Sequence, residues 1–81
     1  MIFLIEYDRT NGRLVNLIQF DDSEQQKAED SRLELELSLK RDGIDREVVL
    51  LDAASKDALH LTHRRYFEDI RGLTKLRRKS A

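Results

Sequence analysis

The sequence predicts a small α+β domain of order β-β-α-β-α, a two-layer sandwich of a three-stranded antiparallel sheet and two helices. Three observations predict it: two apolar runs joined by an Asn-Gly pair, a long stretch of helix-forming residues that ends at a glycine, and a third apolar run before a second helical pattern. The chain has 81 residues, enough for one domain with a thin margin of stability. We expect residues 1–73 to form this domain and residues 74–81 to be a basic, disordered tail.

The first two strands are expected at residues 2–7 and 13–20, joined as a hairpin. Both runs are rich in β-branched and aromatic residues, and Asn11-Gly12 lies between them. Asparagine and glycine tolerate the positive φ that a tight hairpin turn requires. The first strand is apolar on both faces, which is typical of a central strand. A right-handed crossover would place the third strand beside it, in the sheet order 2-1-3.

The first helix is expected from about residue 22 to about residue 41. Asp21 and Glu24 have the spacing of a capping box, and residues 40–44 (KRDGI) have the pattern of a helix end with glycine in the left-handed region. Residues 33–39 complicate this prediction, because leucine at every second position has the period of a strand. The alternative is therefore a ββαββα order in which 33–39 is a strand. We prefer the helix, because leucine, glutamate and lysine are strong helix formers.

The second half of the chain predicts one more strand and one more helix. Residues 47–51 (EVVLL) are apolar on both faces of a strand. Ser55 is a suitable N-cap for a helix over about 56–71, and Gly72 is a suitable stop.

The composition favours a soluble cytoplasmic protein without a cofactor. Cysteine is absent, so neither a disulfide nor a thiolate ligand can form, which favours a reducing compartment. The apolar start of the chain is too short for a signal peptide, and no apolar run approaches the roughly 20 residues of a membrane helix. We expect no contact with a membrane.

Charge is divided unevenly along the chain. Residues 1–54 have a balance of -6, and residues 55–81 have a balance of +5. Such a split would favour head-to-tail docking of copies, or docking of the basic end on an acidic partner. An accessory nucleic-acid binder is the alternative function, with candidate phosphate contacts at Arg71, Lys75, Arg77, Arg78 and Lys79. No aromatic residue is interleaved with these cations, which makes this alternative the weaker one.

The sequence contains no recognisable catalytic, metal or nucleotide motif, which predicts a non-enzymatic protein. His60 and His63 are three apart on the last helix, a spacing that would offer two metal ligands, but nothing completes the set. If the end of the first strand meets that helix, a polar cluster would form that could bind an anion, or would simply be a salt-bridge network. Its members would be Asp8, Arg9, His63, Arg64 and Tyr66.

The apolar pattern predicts self-association. Both faces of the sheet carry apolar side chains, and two helices would not easily cover both. On a helix with about 100° per residue, Leu35 and Leu39 share a stripe with Ala28, whereas Leu33 and Leu37 lie roughly 160° away. We therefore expect a protein-interaction or regulatory module that works as a homodimer, with Leu33 and Leu37 contacting the second copy or another protein.

Overall fold

The computed structural model of the protein describes residues 1–67. Its helices and strands are β1 (Ile2–Asp8), β2 (Arg13–Phe20), α1 (Gln25–Arg41), β3 (Glu47–Asp52) and α2 (Lys56–Thr62), with short 3-10 turns at Asp22–Glu24 and Arg64–Tyr66. This order confirms the predicted β-β-α-β-α arrangement. The tail at 74–81 and the stop at Gly72 lie outside the described residues.

The strands form one antiparallel sheet in the predicted order β2-β1-β3. β1 is the central strand, and Phe3, Leu4 and Ile5 are almost completely buried. The predicted turn between β1 and β2 also forms. The carboxylate of Asp8 accepts hydrogen bonds from the backbone N–H groups of the next turn residues, and Gly12 has a φ of 64°. Glycine adopts this φ without the steric cost that a Cβ would add.

The two helices lie against opposite faces of the sheet, so the fold has three layers and not the predicted two. On one face, here called the α1 face, Ala28 of α1 packs with Leu4 of β1. On the other, the α2 face, Leu59 of α2 packs with Phe3 and Ile5. Successive residues of a strand point to opposite faces, so β1 alone supplies both cores. The expectation that one face would lack a helix is therefore wrong.

Residues 33–39 are helical, which confirms the preferred interpretation and excludes the alternative strand. The predicted capping box is also present, because the backbone N–H of Asp21 donates to Glu24 Oε1 at 3.0 Å. The box encloses a turn of 3-10 helix at Asp22–Glu24, and α1 begins at the next residue, Gln25. The helix propensity of the strong helix formers in α1 thus outweighs the strand-like, two-residue repeat of its leucines.

The end of α1 has the predicted glycine geometry. The N–H of Gly43 donates to the carbonyl of Lys40 at 3.2 Å, and the N–H of Ile44 donates to the carbonyl of Leu39 at 2.9 Å. Gly43 itself has a φ of 67°. These two bonds define a Schellman motif, which satisfies carbonyl groups that the end of a helix would otherwise leave unpaired.

The last helix is shorter than predicted. The Ser55 hydroxyl caps it as expected, accepting from the N–H of Ala58 at 3.1 Å, but α2 ends at Thr62. His63 leaves the helical region, with φ -128° and ψ 51°, and a 3-10 turn follows. The prediction of a continuous helix to residue 71 is therefore wrong at His63. The 3-10 turn that follows the end of α2 makes a tertiary contact with the sheet. In this contact, the ring of Tyr66 packs edge-on against that of Tyr7.

Candidate interaction surface

The outer side of α1 carries two exposed leucines. Leu33 is 54% exposed and Leu37 is 57% exposed, and we call them the outer leucine pair. On the opposite side of the helix, Ala28 is completely buried and Leu35 is half-buried against the sheet. This division agrees with the helical wheel, on which the two leucine pairs lie on different sides.

Two grooves lie along the flank of α1 that overlies β3. One has a volume of about 520 Å³ and lies between the last turns of α1 and Val48 of β3. The other has a volume of about 360 Å³ and lies between the first turns of α1 and Leu50 of β3. The helix residues that line them share one stripe at about 100° per residue, and they are Gln25, Glu29, Arg32, Glu36, Leu39 and Lys40. We call this stripe the β3 flank of α1.

The predicted polar cluster is divided between the two faces of the sheet. Asp8 lies near Arg46 on the α1 face, and the exposed Arg9 lies 3.8 Å from Asp45. Tyr66 packs on the α2 face. Within residues 1–67, no hydrogen bond or ion pair joins Asp8 or Arg9 to His63, Arg64 or Tyr66. The structure thus holds two separate clusters in place of the predicted one.

The cluster on the α1 face consists of Glu6, Asp8 and Arg46. Arg46 Nε lies 3.3 Å from Glu6 Oε2, and its Nη1 lies 3.8 Å from Asp8 Oδ2. The side-chain amide of Asn11 donates to Asp8 at 2.7 Å. This bond is the main reason that the pKa of Asp8 lies below its ordinary range, and the charge of Arg46 adds to it. Asp8 therefore holds the hairpin turn and ties it to the start of β3.

The cluster on the α2 face consists of Glu47, Arg65 and Tyr66. The hydroxyl of Tyr66 donates to Glu47 Oε2 at 2.5 Å, and Arg65 forms an ion pair with the same oxygen. The Arg65 guanidinium carbon also lies 4.2 Å from the centre of the Tyr66 ring, within cation–π range. These groups fasten the 3-10 turn to the start of β3.

The protonation of this cluster follows from its contacts. The hydrogen bonds from Arg65 and then from Tyr66 stabilise the carboxylate of Glu47 and lower its pKa. Burial raises the pKa of Tyr66, and the neighbouring Glu47 raises it further. Glu47 is thus ionised and Tyr66 neutral near pH 7, which are the forms that the hydrogen bond between them requires.

Four members of these clusters were not predicted from the sequence: Glu6, Arg46, Glu47 and Arg65. A weak signal existed for Glu6, which is the one charged residue between the apolar positions of β1. Arg46 and Glu47 looked like ordinary residues at the start of a strand. Only the strand register places them beside β1, where Glu47 is opposite Tyr7.

The two histidines have ordinary packing contacts. The ring of His60 stacks on Phe67, with 3.7 Å between centroids, and the ring of His63 lies 6.4 Å from that of Tyr66. Among residues 1–67, no group of three or more His, Cys, Asp or Glu side chains is placed to hold a metal ion.

The chain matches no model of a known protein family, no curated protein and no solved structure. No helix within residues 1–67 combines the length and the apolar character needed to cross a membrane. The candidate nucleic-acid contacts lie outside the described residues, so that alternative stays a prediction. They are Arg71, Lys75, Arg77, Arg78 and Lys79.

Proposed function

We propose that the protein is a non-enzymatic interaction module of the cytoplasm that works as a homodimer. The observation that carries this proposal is the outer leucine pair. Leu33 and Leu37 lie one helical turn apart and are both more than half exposed, on the side of α1 that faces away from the sheet. A contact with a second copy would remove their remaining apolar surface from water.

The length of α1 supports the same proposal. The helix has 17 residues, and only Ala28 among them is buried. Covering the exposed part of one leucine would contribute on the order of 1 kcal/mol, which is small for one site but is repeated in a symmetric dimer. A second copy is the simplest partner, because it presents the same apolar pair.

The two polar clusters support an interaction role and not a catalytic role. The carboxylates of Asp8 and Glu47 accept hydrogen bonds from neighbouring side chains, and both contribute to fastening one element to another. Glu6 and Arg46 form an ion pair. The carboxylates of Asp8 and Glu47 are thus bound to side chains of their own chain, whereas a catalytic acid or base must face its substrate.

Sedimentation equilibrium of the full chain at tens of micromolar tests the proposal. We expect a mass twice the 9.5 kDa of one chain. The double variant Leu33→Gln and Leu37→Gln should dissociate at higher concentration than the wild type. Leu61→Gln is the matched control, because Leu61 is 72% exposed but lies on α2.

A monomer at these concentrations would overturn the homodimer. A dimer whose dissociation constant is unchanged by the double variant would instead remove the outer leucine pair as its contact.

A further inference from the structure

We infer that two copies pair through the outer edges of β3, antiparallel and centred on Val49, to form one continuous six-stranded sheet. This inference rests on the homodimer proposed above and names the surface that forms its centre. It follows from the free backbone groups of β3, the charges at its ends, and the position of α1 above it.

The outer edge of β3 has backbone groups that no strand among residues 1–67 pairs with. Within residues 1–67, β3 pairs with β1 and with no other strand. At the end of this pairing, Met1 and Ala53 exchange two N–H to C=O bonds of 3.0 Å. Bonded and non-bonded pairs alternate along an antiparallel ladder, so Val49 and Leu51 also point their N–H and C=O groups toward β1.

The backbone groups of the alternate residues point outward. These residues are Val48, Leu50 and Asp52, and their N–H and C=O groups form a ready template for another strand. The β3 side chains are only partly buried, and the four central ones are all apolar. Such an edge gains both hydrogen bonds and apolar burial when a second strand joins it.

The other edge of the sheet is less regular, and two apolar side chains of β2, Val15 and Ile18, are also exposed. The register of β2 against β1 shifts between Glu6 and Tyr7, which marks a bulge, and polar residues including Arg13 and Gln19 lie along β2. Bulges and charged side chains are common devices that keep an edge strand from pairing. β3 pairs with β1 without a shift and has charged residues only at its ends. β3 is therefore the edge that is suited to pairing.

Charge complementarity selects a second copy and its register. A two-fold axis perpendicular to the sheet keeps each face continuous, so residues of the same face lie opposite each other. In the register centred on Val49, Val48 lies opposite Leu50 of the second copy and Glu47 lies opposite Leu51. Arg46, which also contacts Glu6 and Asp8 of its own chain, lies opposite Asp52. Cross-strand pairs of opposite charge are favourable. The register centred on Leu50 would instead place Val48 opposite Asp52.

Helix α1 fits the same two-fold axis. It contacts both β1 and β3, so its axis lies over the gap between them. Strands are about 4.8 Å apart, which would bring the two copies of α1 to about 10 Å, close to the ordinary spacing of packed helices. Glu36 lines the groove near Val48 and Arg32 lines the groove near Leu50, so the axis at Val49 passes between them.

The two copies of α1 would then run antiparallel, with their β3 flanks facing each other. Arg32 of each copy would lie opposite Glu36 of the other, where each now contacts only its own chain at 3.8 Å. Leu33 would lie at the seam between the helices, because it is closer to this flank than Leu37 on the helical wheel. The outer leucine pair would thus border the pairing of the β3 edges.

A single cysteine tests the register directly, because the chain has no other cysteine. Val49→Cys places two thiols on the axis at a non-hydrogen-bonded pair, where Cα atoms lie about 4.5 Å apart and a disulfide can form. We expect a covalent dimer under mild oxidation. Leu51→Cys is the matched control, because its two thiols would be roughly 13 Å apart along the strands and would stay reduced. Circular dichroism checks that both variants fold.

The outcomes separate this inference from the proposed function. Cross-linking at position 49 but not at 51 supports the pairing. A dimer by sedimentation in which Leu50→Cys or Leu37→Cys cross-links and Val49→Cys does not would overturn it, while the homodimer would stand. A monomeric wild type that no cysteine cross-links would overturn both.

A charge exchange on α1 gives a second test on exposed residues. Arg32→Glu would place a carboxylate opposite Glu36 of the second copy at two symmetric positions. We expect the dissociation constant of the dimer to rise roughly tenfold. The double variant Arg32→Glu with Glu36→Arg restores opposite charges and should return the constant to within about twofold of wild type. A double variant as weak as the single one would overturn the predicted seam.

Discussion

The two helices cover the two faces of the sheet in different ways. α2 has seven residues and completely buries Leu59, and the 3-10 turn after it buries Tyr66. α1 has 17 residues and buries only Ala28. The difference shows that most of the length of α1 is not required by the core of one chain. Each helix buries one residue, but α1 does so over more than twice the length of α2.

Truncation of a leucine on each face should show the largest difference between the two helices. Leu59→Ala should destabilise the protein by about 2–5 kcal/mol, because it removes a fully buried side chain and leaves a cavity. Leu35→Ala should cost only about 1 kcal/mol, because Leu35 is half-buried. Urea unfolding at submicromolar protein measures both. Equal costs would mean that α1 contributes to the core as much as α2.

The Tyr66 hydroxyl is the next largest contribution. Tyr66→Phe should destabilise the protein by about 1–2 kcal/mol, because Glu47 loses a hydrogen bond inside a partly buried pair. Thermal unfolding near pH 7 measures the loss. Tyr7→Phe is the matched control, since Tyr7 contacts the same ring edge-on. A loss as large in the control, whose hydroxyl makes no hydrogen bond within residues 1–67, would show that the bond to Glu47 is not the cause of the destabilisation.

The same cluster predicts how stability changes with pH. The pKa of Glu47 is lowered from 4.5, so its contribution is complete above that value and is lost as the pH falls through the depressed pKa. The pKa of Tyr66 is raised from 10.0, so its contribution is complete below that value and is lost as the pH rises through the raised pKa. Urea unfolding of wild type and Glu47→Gln across pH should show a smaller acidic loss in the variant, which keeps the contribution of Asp8, whose pKa is also lowered.

The end of α1 predicts a smaller effect. Gly43→Ala should cost about 1 kcal/mol, because φ is 67° and alanine resists this region. Among residues 1–67, no atom beyond Gly43 and its chain neighbours lies within 4 Å of the added Cβ, so the cost comes from the local backbone conformation and not from a clash with another part of the fold. Gly43→Asn should cost less, because asparagine tolerates the left-handed region. Denaturant unfolding compares the two, and equal costs would contradict this explanation.

Substitution in the outer leucine pair should have the smallest effect on the stability of the monomer. Leu37→Gln should change the stability of the monomer by less than about 0.5 kcal/mol, because the side chain is mostly in water. Unfolding must be measured at concentrations below dimer formation. A larger loss would mean that Leu37 packs within the monomer and is not available to a partner.

The local elements were largely predictable from the sequence. The hairpin follows from Asn11-Gly12, the end of α1 follows from Gly43, and the start of α2 follows from Ser55, because each of these signals acts within a few residues. The outward position of Leu33 and Leu37 also followed from the helical period. The break at His63 had no comparable local signal.

Long-range contacts were not predictable in the same way. The spacing of residues in the sequence does not reveal the strand register that brings Arg46 to Glu6. Nor does it reveal the turn that brings Tyr66 to Glu47. The face that α2 covers depends on the path of the chain after β3. Short-range preferences therefore define which elements form, while packing of the whole chain decides which face each helix covers and which strands pair.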